Sequence, residues 1–217
     1  MSLVRLGELD CVVGGATVPT AELLRPALQI VGTRRDAAIV PEPNQAELVE
    51  IGQSVAAGVK SLFGIDPYLA LLSFSTNGSG GQKLPSVLKV RQAAEELTGQ
   101  GYRVLGETQF DAAYDAQTRL YKWNRSLIHA PNVYIFPNLD AANIGYKIMK
   151  LTGNYQAIGP IIVGLNRPVN DLSRGCDWRE VYHLSLISLA MSISPKTQLT
   201  EELAVGHLDP AEKSERG

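Results

Sequence analysis

The chain has 217 residues, of which 45% are hydrophobic and 19% are charged, and its net charge at pH 7 is −2. This composition allows one large or two small domains with a real core, and the lack of a basic stripe argues against a general nucleic-acid binder. No stretch reaches the ~20 apolar residues that a membrane span needs, and the N-terminus lacks the apolar core of a signal peptide. Because Cys11, Cys176 and three scattered histidines have no metal-ligand spacing, we expect no metal site and a reduced, cytoplasmic setting.

The beginning of the chain predicts a strand followed by helices. Residues 8–13 favour a short strand that leads into Gly14 and Gly15, where the backbone can approach a ligand closely. Residues 17–31 favour a helix interrupted by a proline. A second helix is predicted from Asn44 to Gly64, because Asn44 has a glutamate three residues later, as in a capping box. One apolar face then recurs at helical spacing, formed by Leu48, Ile51, Val55, Val59 and Leu62.

A polar loop follows the most apolar strand. The continuous apolar run over residues 68–74 predicts a buried parallel strand, and residues 75–81 (STNGSGG) combine hydroxyl groups, an amide and glycines. Open α/β sheets bind ligands at the C-terminal ends of their strands, which makes this loop a candidate ligand site. A plain polar linker is the alternative. The loop lacks the Gly-Lys-Ser/Thr ending of a Walker A motif.

Helices and strands alternate through the rest of the chain. Apolar spacing predicts helices near residues 87–97, 115–124, 144–151 and 178–192, and strands over residues 102–105, 132–136 and 157–165. This alternation indicates an α/β fold with a mostly parallel sheet. In such a sheet the polar loops after strands share one edge, so we expect proximity of the loops at 14–16, 75–81, 137–140 and 170–175.

Residues 168–176 (PVNDLSRGC) place a Ser-Arg-Gly turn directly before a predicted helix. A helix N-terminus suits an anion, and Ser173 and Arg174 add a hydroxyl and a planar cationic fork. The alternative is an ordinary loop with an exposed arginine before a well-capped helix. Asp177 and Glu180 have the spacing of an N-cap and its partner in a capping box.

Five blocks of this chain resemble the phosphate acetyltransferase (phosphotransacetylase) family, in the family's order. They are residues 25–29 (RPALQ), 73–79 (SFSTNGS), 109–113 (QFDAA), 132–147 (NVYIFPNLDAANIGYK) and 157–176 (AIGPIIVGLNRPVNDLSRGC). The resemblance implies reversible transfer of an acetyl group between coenzyme A and inorganic phosphate. It also implies homodimers, small-molecule substrates and no metal or separate cofactor.

The fold that the resemblance implies is a three-layer αβα arrangement, similar to that of isocitrate and isopropylmalate dehydrogenases. It has two domains with the active site in the cleft between them. Residues 1–36 plus 160–217 would form a first, partial α/β domain, and residues 37–159 a second. Compared with the family, the chain looks shortened at its N-terminus and lacks an internal segment after Arg35.

The resemblance also implies roles for individual residues. Arg174, supported by Ser173, would stabilise the oxyanion and phosphate, and Glu180 stands where the family usually carries a catalytic aspartate. Arg25 is similar to a phosphate-holding arginine. The other implied substrate-binding residues are Ser75, Thr76, Gly78, Ser79, Asn143 and Asn170.

Two other functions stay open at this stage. One is a reduced, inactive homologue that binds coenzyme A or phosphate or acts as a regulatory subunit, which the shortened chain suggests. The other is a related acyltransferase that uses butyryl or propionyl groups. It stays open because no motif in the sequence indicates the size or shape of the acyl pocket.

Overall fold

The computed structural model describes residues 1–17, 22–23, 27–31, 40–81, 83–123, 129–153 and 155–193. The strands are β1 (Val12–Gly14), β2 (Tyr68–Leu72), β3 (Arg103–Thr108), β4 (Val133–Ile135) and β5 (Val169–Asp171). The helices are α1 (Ser2–Leu6), α2 (Gln45–Phe63), α3 (Pro85–Gly99), α4 (Phe110–Tyr114), α5 (Ala116–Trp123), α6 (Leu139–Thr152) and α7 (Trp178–Ile193), and Ala27–Val31 forms a π-helical turn. Every strand pair among the described residues is parallel, which confirms a mixed α/β fold with parallel sheets.

The larger sheet has the order β3-β2-β4, with Leu69 of β2 opposite Val104 on one side and Val133 on the other. All five residues of β2 are buried, as the continuous apolar run predicts. Helices α2 and α3 pack on this sheet through a shared core that includes Leu48, Leu69, Val90 and Leu97. Each buried leucine in such a core stabilises the fold by roughly 1.5–3 kcal/mol. This core holds the loop that follows β2 in a fixed place.

Helix α2 begins and ends as its sequence predicts. The side chain of Asn44 accepts the N–H of Glu47 at 3.0 Å, and the Glu47 carboxylate accepts the N–H of Asn44 at 2.7 Å. This is a complete capping box, which satisfies two otherwise unpaired donors. Gly64 ends the helix with a φ of 65°, in the left-handed region that favours glycine.

The smaller sheet joins the two ends of the described chain, since β1 pairs with β5 and Gly14 lies opposite Asp171. Beyond this pair the N–H of Leu172 donates to the carbonyl oxygen of Gly14 at 2.6 Å. A separate apolar cluster supports this sheet, formed by Val4, Ala27, Val31, Leu165 and Val169. The pairing brings Gly14 and Gly15, at the end of β1, beside the segment of β5 that leads into the Ser-Arg turn.

Several predicted boundaries are wrong. Residues 157–165 form no strand, because Pro160 lacks an N–H and the segment remains only partly buried. Strand β3 continues to Thr108, beyond the predicted end at residue 105. The first strand begins at Val12 instead of residue 8. The helix predicted near residues 115–124 is confirmed as α5, and the short helix α4 that precedes it is not predicted.

Within the described residues, no helix combines the length and the apolar character that a membrane crossing requires. Most of the helix predicted over residues 17–31, together with Arg25 and the break after Arg35, lies outside the described residues.

Candidate functional site

Gly15, the residue after β1, allows a very close backbone approach in the smaller sheet. Gly15 has a φ of 105°, and a Cβ atom there would lie 1.8 Å from Oδ1 of Asp171 and 3.1 Å from the backbone nitrogen of Leu172. No side chain fits in that space. The glycine therefore lets the chain run directly against the end of β5, which is the part of β5 that leads into the Ser-Arg turn.

The Ser-Arg turn presents its side chains to solvent. Ser173 and Arg174 are exposed, and the turn is closed by a hydrogen bond from the N–H of Cys176 to the carbonyl oxygen of Ser173 at 3.0 Å. Arg174 forms no ion pair with a carboxylate in the described part of the chain. Its guanidinium is exposed, which fits both an anion-binding arginine and the ordinary exposed arginine of the alternative, so the binding role stays a prediction.

Asp177 caps helix α7. Its Oδ1 accepts the N–H groups of Arg179 and Glu180, both at 2.9 Å. These hydrogen bonds, that from Glu180 first, lower the pKa of the Asp177 carboxyl below its usual value. The N-cap is confirmed, but the Glu180 side chain takes a different partner from the one a capping box would give it.

Glu180 forms an ion pair with Lys150, which lies near the C-terminal end of α6. The Lys150 Nζ lies 2.5 Å from Oε1 of Glu180, whose side chain is 14% exposed. The hydrogen bond to Glu180 raises the pKa of Lys150 above its ordinary value. This carboxylate is largely enclosed, is held by one cation and stands one helical turn after the cap of α7. Its role as a catalytic base stays a prediction.

The loop over residues 73–81, here called the β2 loop, uses its backbone donors internally. The N–H groups of residues 75–81 all donate within the loop or to Glu107. The Ser75 hydroxyl donates to Glu107 at 2.9 Å and accepts the N–H of Gly80 at 2.9 Å. In this conformation the exposed side chains of Asn77 and Ser79, rather than backbone N–H groups, face solvent.

Thr76 is likewise committed to a neighbour. Its Oγ1 lies 3.2 Å from Oε1 of Gln109 and accepts the Gln109 N–H at 2.9 Å. Lys122 donates to Oε1 of Gln109 at 2.8 Å and to the carboxylate of Asp111 at 2.7 Å. The hydrogen bond from Lys122 is the main cause that lowers the pKa of Asp111. Two connected networks therefore fasten the β2 loop to the segment after β3.

Glu107 and Arg91 are the polar pair that the sequence does not point to. Glu107 is 1% exposed and accepts hydrogen bonds from Arg91 Nε at 2.8 Å, Arg91 Nη2 at 3.1 Å and the Gly78 N–H at 2.7 Å. Burial raises the pKa of Glu107, but the hydrogen bonds from Arg91, Gly78 and Ser75 outweigh it and hold the pKa below its usual value. The glutamate directly follows a glycine and reads as a loop residue. The only sequence signal was its proximity to the block at residues 109–113.

The remaining predicted residues fall in three different settings. Asn143 is exposed on α6. Asn170 is buried in β5, where its Oδ1 accepts the Ile162 N–H at 2.7 Å and its Nδ2 donates to Ser188 Oγ at 2.8 Å. Arg25 lies outside the described residues. Their roles in binding, like those of Ser75, Thr76, Gly78 and Ser79, stay predictions.

Across the described ranges, no three histidine, cysteine, aspartate or glutamate side chains are grouped as metal ligands. Near the start of α7 the described residues instead bring together the exposed guanidinium of Arg174, the exposed hydroxyl of Ser173 and the Lys150–Glu180 ion pair. An exposed guanidinium and hydroxyl before a helix start suit an anion, so this surface of a mixed α/β protein with parallel sheets is the candidate site.

Comparison with known proteins identifies the family. Residues 34–189 match the family model described as phosphate acetyl/butaryl transferase. The phosphate acetyltransferases of Mycoplasma capricolum subsp. capricolum and Bacillus subtilis (strain 168) are each 40% identical to this chain, over 215 and 218 residues. Both alignments cover 88% of this chain and 66% of the relative.

A crystal structure of a phosphotransacetylase from Streptococcus pyogenes is also similar, with a TM-score of 0.79 and 41% identity. It matches 89% of this chain and 66% of that protein. The chain belongs to the phosphate acetyl/butaryl transferase family. It spans 66% of the length of each of these relatives.

Proposed function

We propose that this chain carries out reversible transfer of an acetyl group between coenzyme A and inorganic phosphate. The observation that carries the proposal is the exposed Ser173-Arg174 turn at the end of β5, which leads into a helix that bears the paired carboxylate of Glu180. The family and the names of its relatives, phosphate acetyltransferase and phosphotransacetylase, point to the same chemistry.

In the proposed reaction, Glu180 takes the proton from the thiol of coenzyme A. The sulfur then forms a bond to the acetyl carbon of acetyl phosphate, and the bond from that carbon to the phosphate oxygen breaks, which releases phosphate. Arg174 stabilises the oxyanion and the leaving phosphate, and the Ser173 hydroxyl donates to the same oxygens. Lys150 holds the Glu180 carboxylate at the start of α7.

The remaining polar residues are assigned to substrate binding in the same proposal. Arg25, outside the described residues, binds phosphate. The exposed Ser79 and Asn143 contact coenzyme A or phosphate directly. Four further residues support the substrate-binding surface through hydrogen bonds inside the protein, namely Ser75, Thr76, Gly78 and Asn170. Coenzyme A and acetyl-CoA act as substrates, and the reaction needs no separate cofactor.

The proposal extends to the architecture and the setting. The smaller sheet belongs to a first domain (residues 1–36 and 160–217) and the larger sheet to a second (residues 37–159), in the isocitrate dehydrogenase-like arrangement with the site in the cleft. A homodimer is proposed because α6 has no buried residue and carries exposed apolar side chains, including Leu151 at 83% exposure. Because coenzyme A thioesters are handled inside cells, the cytoplasm is the proposed compartment.

The test is thioester formation by the purified 217-residue chain, given coenzyme A and acetyl, propionyl or butyryl phosphate in parallel. The proposal predicts formation of acetyl-CoA, with the acetyl donor preferred over the two longer ones. A preference for butyryl or propionyl phosphate would replace the proposed substrate with a longer acyl group. No thioester from a folded chain, together with coenzyme A binding by calorimetry, would establish a binding homologue without the activity.

A further inference from the structure

Glu107 has no part in the chemistry proposed above, yet it is one of the most enclosed charged groups in the described chain. Its side chain is 1% exposed and its carboxylate accepts four hydrogen bonds, from the Ser75 hydroxyl, the Gly78 N–H and two nitrogens of Arg91. We infer that Glu107 is a positioning residue that fixes the β2 loop and thereby orients the exposed side chains of Asn77 and Ser79 for substrate. This role rests on the proposed function.

The contacts of Glu107 reach most of the β2 loop. Its carboxylate accepts hydrogen bonds from Ser75 and Gly78 directly. Ser75 in turn fixes Gly80, because the Ser75 Oγ accepts the Gly80 N–H. The carbonyl oxygen of Glu107 also accepts the Asn77 N–H at 3.3 Å. One residue of β3 therefore contacts the loop directly at positions 75, 77 and 78 and reaches Gly80 through Ser75.

Asn77 shows why the loop needs such a constraint. Its φ is 47°, in the left-handed region that residues other than glycine adopt only at a cost in energy. Such a conformation persists where the surrounding contacts over-determine it, and such residues cluster at functional sites. The contacts on either side of Asn77, at positions 75 and 78, end on the Glu107 carboxylate. The exposed amide of Asn77 is thus held at a defined place on the loop.

Arg91 compensates the buried negative charge of Glu107, and the geometry of this ion pair allows both residues to be replaced by neutral glutamines. A glutamine at position 107 keeps an oxygen for Ser75 and Gly78, but it turns an amide nitrogen toward the donors of Arg91. The Arg91 Nε lies 2.8 Å from Oε2 of Glu107. In a glutamine at position 91, Oε1 occupies about the place of that Nε, so it can accept from the new amide nitrogen. The double variant E107Q/R91Q therefore rebuilds the network without charges, whereas E107Q alone breaks it.

The kinetic experiment compares wild type, E107Q, E107Q/R91Q and the surface control D66N, whose side chain carboxylate is exposed. For E107Q we expect the KM of coenzyme A or of acetyl phosphate to rise about tenfold or more, with a smaller fall in kcat, because the loop groups are misplaced. The double variant should recover most of that loss, and D66N should leave both constants unchanged. A Tm that falls in E107Q while both KM values stay at the wild-type level would overturn the inference and leave Glu107 a folding role only.

Amide hydrogen exchange tests the loop without reference to activity. We expect the Gly78 and Gly80 amides to exchange about tenfold faster in E107Q than in wild type, while amides of β2 keep their rates, and to slow again in the double variant. Unchanged exchange at Gly78 and Gly80 would refute the positioning role. If wild type forms no thioester but E107Q loosens the loop, the proposed function fails while the structural part of the inference stands.

Discussion

Substitution of Gly15 by alanine should damage the site more than any ordinary surface change. The φ of 105° at Gly15 is one that residues with a side chain rarely adopt, and the new Cβ would lie 1.8 Å from Asp171 Oδ1 and 3.1 Å from the Leu172 nitrogen. The unfavourable backbone costs about 1–2 kcal/mol and the forced movement of packed atoms about 1–3 kcal/mol. Together we expect the free energy of unfolding to fall by about 3 kcal/mol.

Gly64 is the matched control, because it too has a positive φ, of 65°, but has no atom within 4 Å of the added Cβ. Gly64→Ala should show the backbone cost alone, about 1 kcal/mol. The difference of about 2 kcal/mol corresponds to a Tm lower by about 4–8 °C in Gly15→Ala than in Gly64→Ala. Urea and thermal unfolding followed by circular dichroism measure both quantities. Equal losses in the two variants would refute the steric reasoning at Gly15.

Three further outcomes are expected. Because the folded chain lowers the pKa of Glu107, its contribution to the free energy of unfolding should be constant above pH 4.5 and decrease as the pH falls below it. Urea titrations at several pH values should show a smaller decrease at low pH in Glu107→Gln than in wild type. An equal decrease in the two proteins would contradict the lowered pKa of Glu107. Glu180→Gln should lower the pKa of Lys150, measured by NMR of methylated lysines, and an unchanged value would mean that the ion pair does not form in solution. Asn44→Ala should destabilise the chain by about 1 kcal/mol in the same urea assay, and wild-type stability would show that the capping box of α2 contributes nothing.

The elements with strong local signals could be predicted from the sequence. The capping box at Asn44 and the apolar face that follows it define α2 within two residues. The apolar run of β2 likewise indicates a strand buried on both faces. In both cases the physical cause of the element lies inside the segment itself, in its period, its cap and its composition.

Elements that depend on distant partners could not be predicted. Strand β3 extends to Thr108 because its backbone pairs with Leu72 of β2, about 35 residues earlier in the chain. The Arg91 that compensates the buried charge of Glu107 is 16 residues away. The opposite error occurs at residues 157–165, where an apolar run suggests a strand but the backbone forms only an isolated bridge at Leu165. Apolar composition indicates burial, whereas a strand also requires a neighbour for its hydrogen bonds.

The candidate site divides in the same way. The Ser173-Arg174 turn and the cap at Asp177 follow from a short stretch of sequence, and the structure has both. The ion pair of Glu180 with Lys150 joins residues 30 positions apart. The backbone N–H groups of the β2 loop are taken up partly by Glu107, at the end of β3, and the sequence there suggests a loop. Local sequence thus indicates which groups are present, while their partners come only from the fold.

The measurement that tests the central claim most directly is the rate of acetyl-CoA formation from acetyl phosphate and coenzyme A by wild type, Arg174→Ala and Arg179→Ala. Arg179 is the matched control, an exposed arginine whose guanidinium lies over the ring of Trp178 at 5.1 Å. Removal of an oxyanion-stabilising donor costs about 10²–10³ in rate, so we predict that loss in Arg174→Ala and a wild-type rate in Arg179→Ala. Equal rates in all three proteins, or no thioester from the folded wild type, would contradict acetyl transfer at the Ser173-Arg174 turn.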